Sequence, residues 1–106
     1  MGLFTLSQAP DFQEGLDKYK NTKGALLLDV RTPDEYAGGR VPGSINLPLQ
    51  VFTKIEEVAP DKNTPLFVYC HSGARSARFV KTMKKMGYTD VTDMGGIIQY
   101  KGEREM

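Results

Sequence analysis

The chain has 106 residues, 40% of them hydrophobic and 25% charged, with a formal net charge of +1. That length predicts one domain over residues 1–106, burying about 60 to 68% of its surface on folding. The charge balance gives no bulk electrostatic reason to expect a nucleic acid or an anionic membrane as partner, and no run approaches the roughly 20 apolar residues of a membrane-crossing helix. Met1–Thr5 lacks the basic start and apolar core of a signal peptide. A single cysteine excludes an intramolecular disulfide and suits a reducing compartment, so the expected location is cytoplasmic.

Taken in order, Leu3–Leu6 reads as a short strand, and Ser7 as the N-cap of a helix that carries Pro10 and Asp11 in its first turn. Phe12, Leu16 and Tyr19 form the apolar stripe of that helix, and Asn21–Gly24 ends it. Ala25–Val30 is apolar apart from Asp29, the pattern of a strand buried on both faces of a parallel sheet. Asp29 and Arg31 follow at its carboxyl end, where α/β sheets bind ligands; a supporting role, with Asp29 capping the next turn or pairing with Arg31, is preferred to direct chemistry.

Thr32-Pro33-Asp34-Glu35 has the form of a capping box opening a short helix, and Gly38-Gly39 ends it. Arg40–Pro48 reads as a turn, a short strand and a break, with Pro42-Gly43 suited to a type II turn. Val51, Ile55 and Val58 mark a middle helix, and Pro60–Asn63 a loop.

The most informative stretch is Pro65–Phe79. Leu66-Phe67-Val68-Tyr69 reads as a buried strand ending at Cys70. A loop eased by Gly73 follows, then a helix from Arg75 with Phe79, Val80, Met83 and Met86 on its apolar face. A loop curling from strand to helix aims backbone N–H groups at one point, and the helix N-terminus adds partial positive charge. With Arg75 on the rim, both effects favour a Cys70 thiolate able to attack electrophilic sulfur or phosphorus. Gly87 stops the helix, Val91-Thr92 forms a last strand, and Met94-Gly95-Gly96 turns into a final segment with Ile97, Ile98 and Tyr100. Strands alternating with helices predict a parallel sheet covered on both faces.

These residues resemble the rhodanese-homology family in its small single-domain form. The likeness rests on Leu28–Arg31, Glu35-Tyr36, Gly39–Pro48, Val68–Ser76 and Gly95–Ile97 before Tyr100. It implies a three-layer α/β fold with a central parallel five-stranded sheet flanked by helices. The chain departs from the family pattern at Arg40, often His, and at Tyr100, often Trp; both are expected to affect packing or the rim of the pocket.

Cys70 and Arg75 are separated by four residues, one fewer than in the related cysteine phosphatases. The tighter ring of amides suits a sulfane sulfur better than a phosphoryl group with three oxygens inside it. The resemblance therefore implies a thiosulfate sulfurtransferase. Cys70 would carry a persulfide taken from thiosulfate or a persulfide donor and pass it to cyanide or an external thiol, including one on a sulfur-accepting protein. A persulfide carrier docking to a partner is the alternative, followed by a phosphatase or arsenate reductase and by a silent binding module.

Arg75 is expected to stabilise the anionic donor, with His71, Ser72, Gly73, Ala74 and Ser76 completing the loop. His71 is read as lining the site or contacting the donor, or else as solvent-exposed, rather than as a general base. Ser72 and Ser76 are read as donors to the ring or as helix caps. Arg78, one turn along, is read as part of a solvated face. No cofactor is expected, and one His with one Cys cannot complete a tetrahedral Cys/His zinc site.

Overall fold

The computed structural model describes residues 9–106. Helix α1 (Phe12–Lys20) leads to strand β1 (Leu26–Asp29), helix α2 (Pro33–Ala37), strand β2 (Ile45–Asn46), a 3-10 segment (Leu49–Lys54) and helix α3 (Ile55–Val58). Strand β3 (Leu66–Cys70), helix α4 (Ala74–Lys85), strand β4 (Val91–Gly96) and a 3-10 turn (Ile97–Gln99) complete the order. All strand pairings are parallel, in the spatial order β2-β1-β3-β4.

The sheet has four strands among the described residues, against five expected. The candidate fifth, Leu3–Leu6, and the expected cap Ser7 lie outside the described residues. Helix α1 starts later than its sequence pattern implied: Asp11 is the N-cap, its carboxylate accepting from the Glu14 amide at 3.0 Å, and Pro10 precedes the helix. Proline and a strong capping carboxylate together set the boundary there.

Strand parity explains the two-sided core. Successive side chains point to opposite faces. Leu66, Val68 and Cys70 of β3 therefore join Leu28 of β1 against Phe79 and Met83 of α4 and Ile55 of α3. Phe67 and Tyr69 join Leu27 against Phe12 and Leu16 of α1, with Met94 and Ile97. Tyr19 closes the edge of this second layer, its ring 5.8 Å from that of Phe67. The near-continuous apolar runs of β1 and β3 thus reflect burial on both faces.

Two expected elements differ. The middle helix is broken: Val51 has non-helical angles (φ −115°, ψ 37°), and Val51 and Val58 are exposed while Ile55 is buried. Only one residue of the supposed stripe faces the core, so no continuous α-helix is favoured. The last strand is longer than Val91-Thr92 and takes in Met94-Gly95-Gly96. Its register against β3 shifts between Val68 and Tyr69: Asp93 faces Val68, and Gly95 faces Tyr69. The extra residue is a β-bulge, with Gly95 at φ +87° supplying the left-handed backbone it requires.

The short connections follow their sequence chemistry. Thr32 and Glu35 form the capping box of α2, with Pro33 at its start. The Ser44 amide donates to the Val41 carbonyl at 3.2 Å across Pro42-Gly43, and Gly43 has φ +88°, as a type II turn requires.

Below the sheet's carboxyl edge lies the Asp29–Arg31 pair. Asp29 is 0% exposed and Arg31 3%. Arg31 Nη2 donates to Asp29 Oδ2 at 2.7 Å and to the Gly39 carbonyl at 2.7 Å, while the Arg31 amide donates to Asp29 Oδ1 at 2.9 Å. Burial opposes the Arg31 charge, but hydrogen bonding and Coulomb attraction to Asp29 prevail and raise its pKa. Arg31→Ala leaves a buried carboxylate without its counter-ion, a change that costs about 3–5 kcal/mol. Urea unfolding should show that loss as a lower midpoint with little change in slope.

Candidate functional site

Strand β1 continues to β2 on one side, and β3 lies on its other side, so the chain reverses its direction of travel across the sheet between β1 and β3. Crevices at such switch points are the usual ligand sites of open α/β sheets. Asp29 and Tyr69 are register partners there, and Cys70 is the last residue of β3.

From Cys70 the chain curls through six residues, Cys70 to Arg75, into α4. Gly73 takes φ +111° at the N-cap of α4, a conformation that L side chains rarely adopt. The Gly73 amide donates to Cys70 Sγ at 3.0 Å and the Ser76 amide at 3.3 Å. Two backbone dipoles thus converge on the sulfur at the positive end of a 12-residue helix.

The loop rests on β4. A Cβ added at Gly96 would lie 2.3 Å from the His71 carbonyl oxygen and 2.5 Å from Ser72 Cα. The backbones of loop and strand touch directly, and the Ile98 amide donates to the His71 carbonyl at 3.2 Å. Ser76 secures the other end. Its fully buried hydroxyl donates to Asp93 Oδ1 at 2.8 Å, and that oxygen also accepts the Gly95 amide at 2.9 Å. The residue whose amide points at the sulfur is therefore anchored through its side chain to the bulge in β4.

The sequence-predicted residues separate into distinct settings. Cys70, Gly73 and Ser76 come together around the sulfur. His71 and Ser72 are loop positions that lie exposed, as does Ala74, the first residue of α4. Asp29 and Arg31 bind one another. Arg40 is drawn to the C-terminal segment: it faces Glu105 across an antiparallel bridge, its guanidinium 4.6 Å from the Tyr36 ring centroid. Tyr100 packs its ring 5.7 Å from Phe12, and its hydroxyl donates to the Glu103 carbonyl.

Arg75 is the residue whose setting the sequence least anticipated. It makes a two-pronged ion pair with Glu35, Nη1 to Oε1 at 2.7 Å and Nη2 to Oε2 at 2.9 Å. Two of five guanidinium N–H groups are used, leaving three for an anion. Glu35 Oε1 also accepts the Thr32 amide at 2.9 Å, so one carboxylate caps α2 and holds the loop arginine. Glu35 and Asp93 were missed as site residues. The capping-box spacing identified Glu35 only as structural, and nothing local to Asp93 signals its contact with Ser76.

Hydrogen bonding from Arg75 pulls the Glu35 pKa down to about 2, helped by the Thr32 donors and opposed by burial. Its stabilising contribution is therefore complete above the ordinary carboxylate pKa and is lost as pH falls from about 4.5 towards 2. The side chains of the pair are about one-third exposed, 32% for Arg75 and 34% for Glu35, and solvent screening reduces the effect. Glu35→Gln, which keeps an acceptor for the capping box, should differ from the parent in stability by a constant amount above pH ~5. The difference should shrink below that value in a pH series of thermal midpoints. A second variant, Gly96→Ala, should lower stability by about 1–3 kcal/mol through overpacking against the loop backbone, read by urea unfolding.

Comparison with known proteins shows the family and the fold. The rhodanese-like domain model matches residues 9–103. Thiosulfate sulfurtransferase PspE of Escherichia coli is 41% identical over 71 residues, 66% of this chain and 68% of that protein. A sulfurtransferase of Allochromatium vinosum is 35% identical over 82 residues, covering 76% and 75% of the two chains. A solved E. coli rhodanese with anions superposes with a TM-score of 0.71 at 35% identity, over 76% of this chain and 96% of that one. On the family model's match and these identities, the chain belongs to the rhodanese-like domain family.

Proposed function

We propose that the protein is a thiosulfate sulfurtransferase working through a Cys70 persulfide, its single domain extending over residues 1–106. The observation that carries this reading is the convergence on Cys70 Sγ of two amides, that of Gly73 in the six-residue loop and that of Ser76 in the first turn of α4. Donors aimed at sulfur serve an anionic sulfur better than a neutral thiol. The ring is also small, which favours a single sulfur atom over a phosphoryl group.

The Cys70 thiolate attacks the outer sulfur of thiosulfate. The Sγ–S bond forms, the S–S bond of the donor breaks, and sulfite leaves with its electron pair. The enzyme then holds Cys70–S–S⁻, its terminal sulfur facing the loop amides. Arg75 keeps its pair with Glu35 and offers its remaining N–H groups to the anionic donor. An external thiol or cyanide attacks the terminal sulfur, and Cys70 leaves as thiolate. The sulfur acceptor comes from outside because the chain holds no second cysteine. This is double displacement, with ping-pong kinetics.

A low-molecular-weight or protein persulfide can replace thiosulfate in the first half-reaction, since only the leaving group changes. A thiol returned after every turnover suits the reducing cytoplasm. No helix among the described residues is long and apolar enough to cross a membrane.

The test is the intact mass after incubation with thiosulfate, before and after cyanide. A gain of one sulfur atom that cyanide removes as thiocyanate is the expected result. Cys70→Ser should show neither the gain nor turnover while retaining the parent's circular dichroism, and turnover by that variant would refute the mechanism.

A further inference from the structure

Beside the loop, the 3-10 segment and α4 enclose a surface groove of about 450 Å³ lined by Leu49, Gln50, Phe52, Arg75, Arg78 and Thr82. Its two walls differ in chemistry. Leu49 and Phe52, both half-buried, form an apolar side. Arg75, Arg78 and Thr82 line the other along one face of α4, at helical spacings of three and four. No carboxylate lines the groove, so its local charge is positive although the chain as a whole is near neutral. Arg75 is held by Glu35, whereas the Arg78 guanidinium has no hydrogen-bond or ion-pair partner among the described residues.

The groove is continuous with the loop because Arg75 belongs to both. Three residues of helix carry Arg78 about 4.5 Å farther along the axis. A small peptide thiol spans that interval, at about 3.3–3.6 Å per extended residue. We propose that this groove is the acceptor site, that it takes a small thiol bearing a carboxylate, and that Arg78 is its specificity-determining residue. The carboxylate pairs with Arg78, the aliphatic part of the ligand lies against Leu49 and Phe52, and the thiolate faces the persulfide.

This inference rests on the sulfur-transfer reading and names the acceptor class for it. In the step itself, the acceptor thiol RSH gives its proton to the persulfide Cys70–S–S⁻ and, as the thiolate, attacks its terminal sulfur. The bond from R–S to that sulfur forms, the Sγ–S bond breaks, and the products are R–S–SH and the Cys70 thiolate. Charge and sulfur count balance without an outside oxidant or reductant.

The probes are glutathione, a peptide thiol with two carboxylates, and 2-mercaptoethanol, which is uncharged as the thiol. Thiosulfate serves as donor, and persulfide loading is checked by intact mass in every variant. Ping-pong kinetics isolate the acceptor half-reaction in the kcat/KM for each thiol. Arg78→Glu should lower kcat/KM for glutathione about tenfold relative to 2-mercaptoethanol, mainly through KM, as expected for loss of a charge-assisted contact. Lys81→Glu makes the same charge change outside the groove and should leave that ratio within about twofold, given screening at 0.15 M salt. An equal shift in both variants, or no selective loss in Arg78→Glu, overturns the acceptor site while leaving sulfur transfer intact. Failure of the parent protein to load sulfur overturns both.

Discussion

The site depends on a contact between two backbones. The loop after β3 lies so close to the last residue of β4 that only glycine fits at Gly96, and the rest of the site follows from that approach. With His71 and Ser72 set down on the strand, the chain must turn within a few residues to enter α4. Gly73 makes that turn in a left-handed conformation, and the helix then begins with its amides directed at the sulfur it has just passed. A side chain at Gly96 would hold the loop away from the sheet and open the ring. The bulge in β4 works to the same end: it brings Asp93 and Gly95 to the Ser76 hydroxyl and so fixes the amide donor on the far side of the sulfur.

Electrostatic organisation around the sulfur is divided between two ion pairs with different roles. Asp29–Arg31 is buried beneath the site and turned inward, tying the end of β1 to the Gly39 carbonyl; its energy goes into scaffold geometry. Glu35–Arg75 is half-open and joins the cap of α2 to the start of α4 across the crevice. Being screened, it adds little to stability, but it fixes the direction of a guanidinium at the mouth of the loop. Both carboxylates sit where helix or strand ends leave backbone donors exposed, so each serves local structure and tertiary linkage together.

Tyr69 shows how tightly the scaffold is drawn around the nucleophile. Its hydroxyl accepts from the Val41 amide at 3.1 Å and donates to Ser44 Oγ at 3.2 Å, reaching from β3 to the turn before β2. Burial pushes its pKa upward, so it remains a neutral strut directly preceding Cys70. The Arg40–Glu105 bridge and the Tyr100–Phe12 contact place Arg40 and Tyr100 in packing rather than among the atoms around the sulfur.

Local sequence determined much of the secondary structure and the length of the cysteine loop. Apolar runs marked β1 and β3, residue spacing marked α4, Thr32 to Glu35 marked the capping box, and Cys70 to Arg75 defined loop length. Each depends on neighbours within one or two turns, where periodicity and turn chemistry act directly. Tertiary structure alone decided that the middle helix breaks at Val51 and that β4 continues through Gly96. It likewise decided that Arg75 pairs with Glu35 and Ser76 with Asp93. These partners lie 40 and 17 residues apart, and nothing in the residues between them encodes the meeting. Their pairing follows from strand order and register, which bring the ends of β1, β3 and β4 to one edge of the sheet.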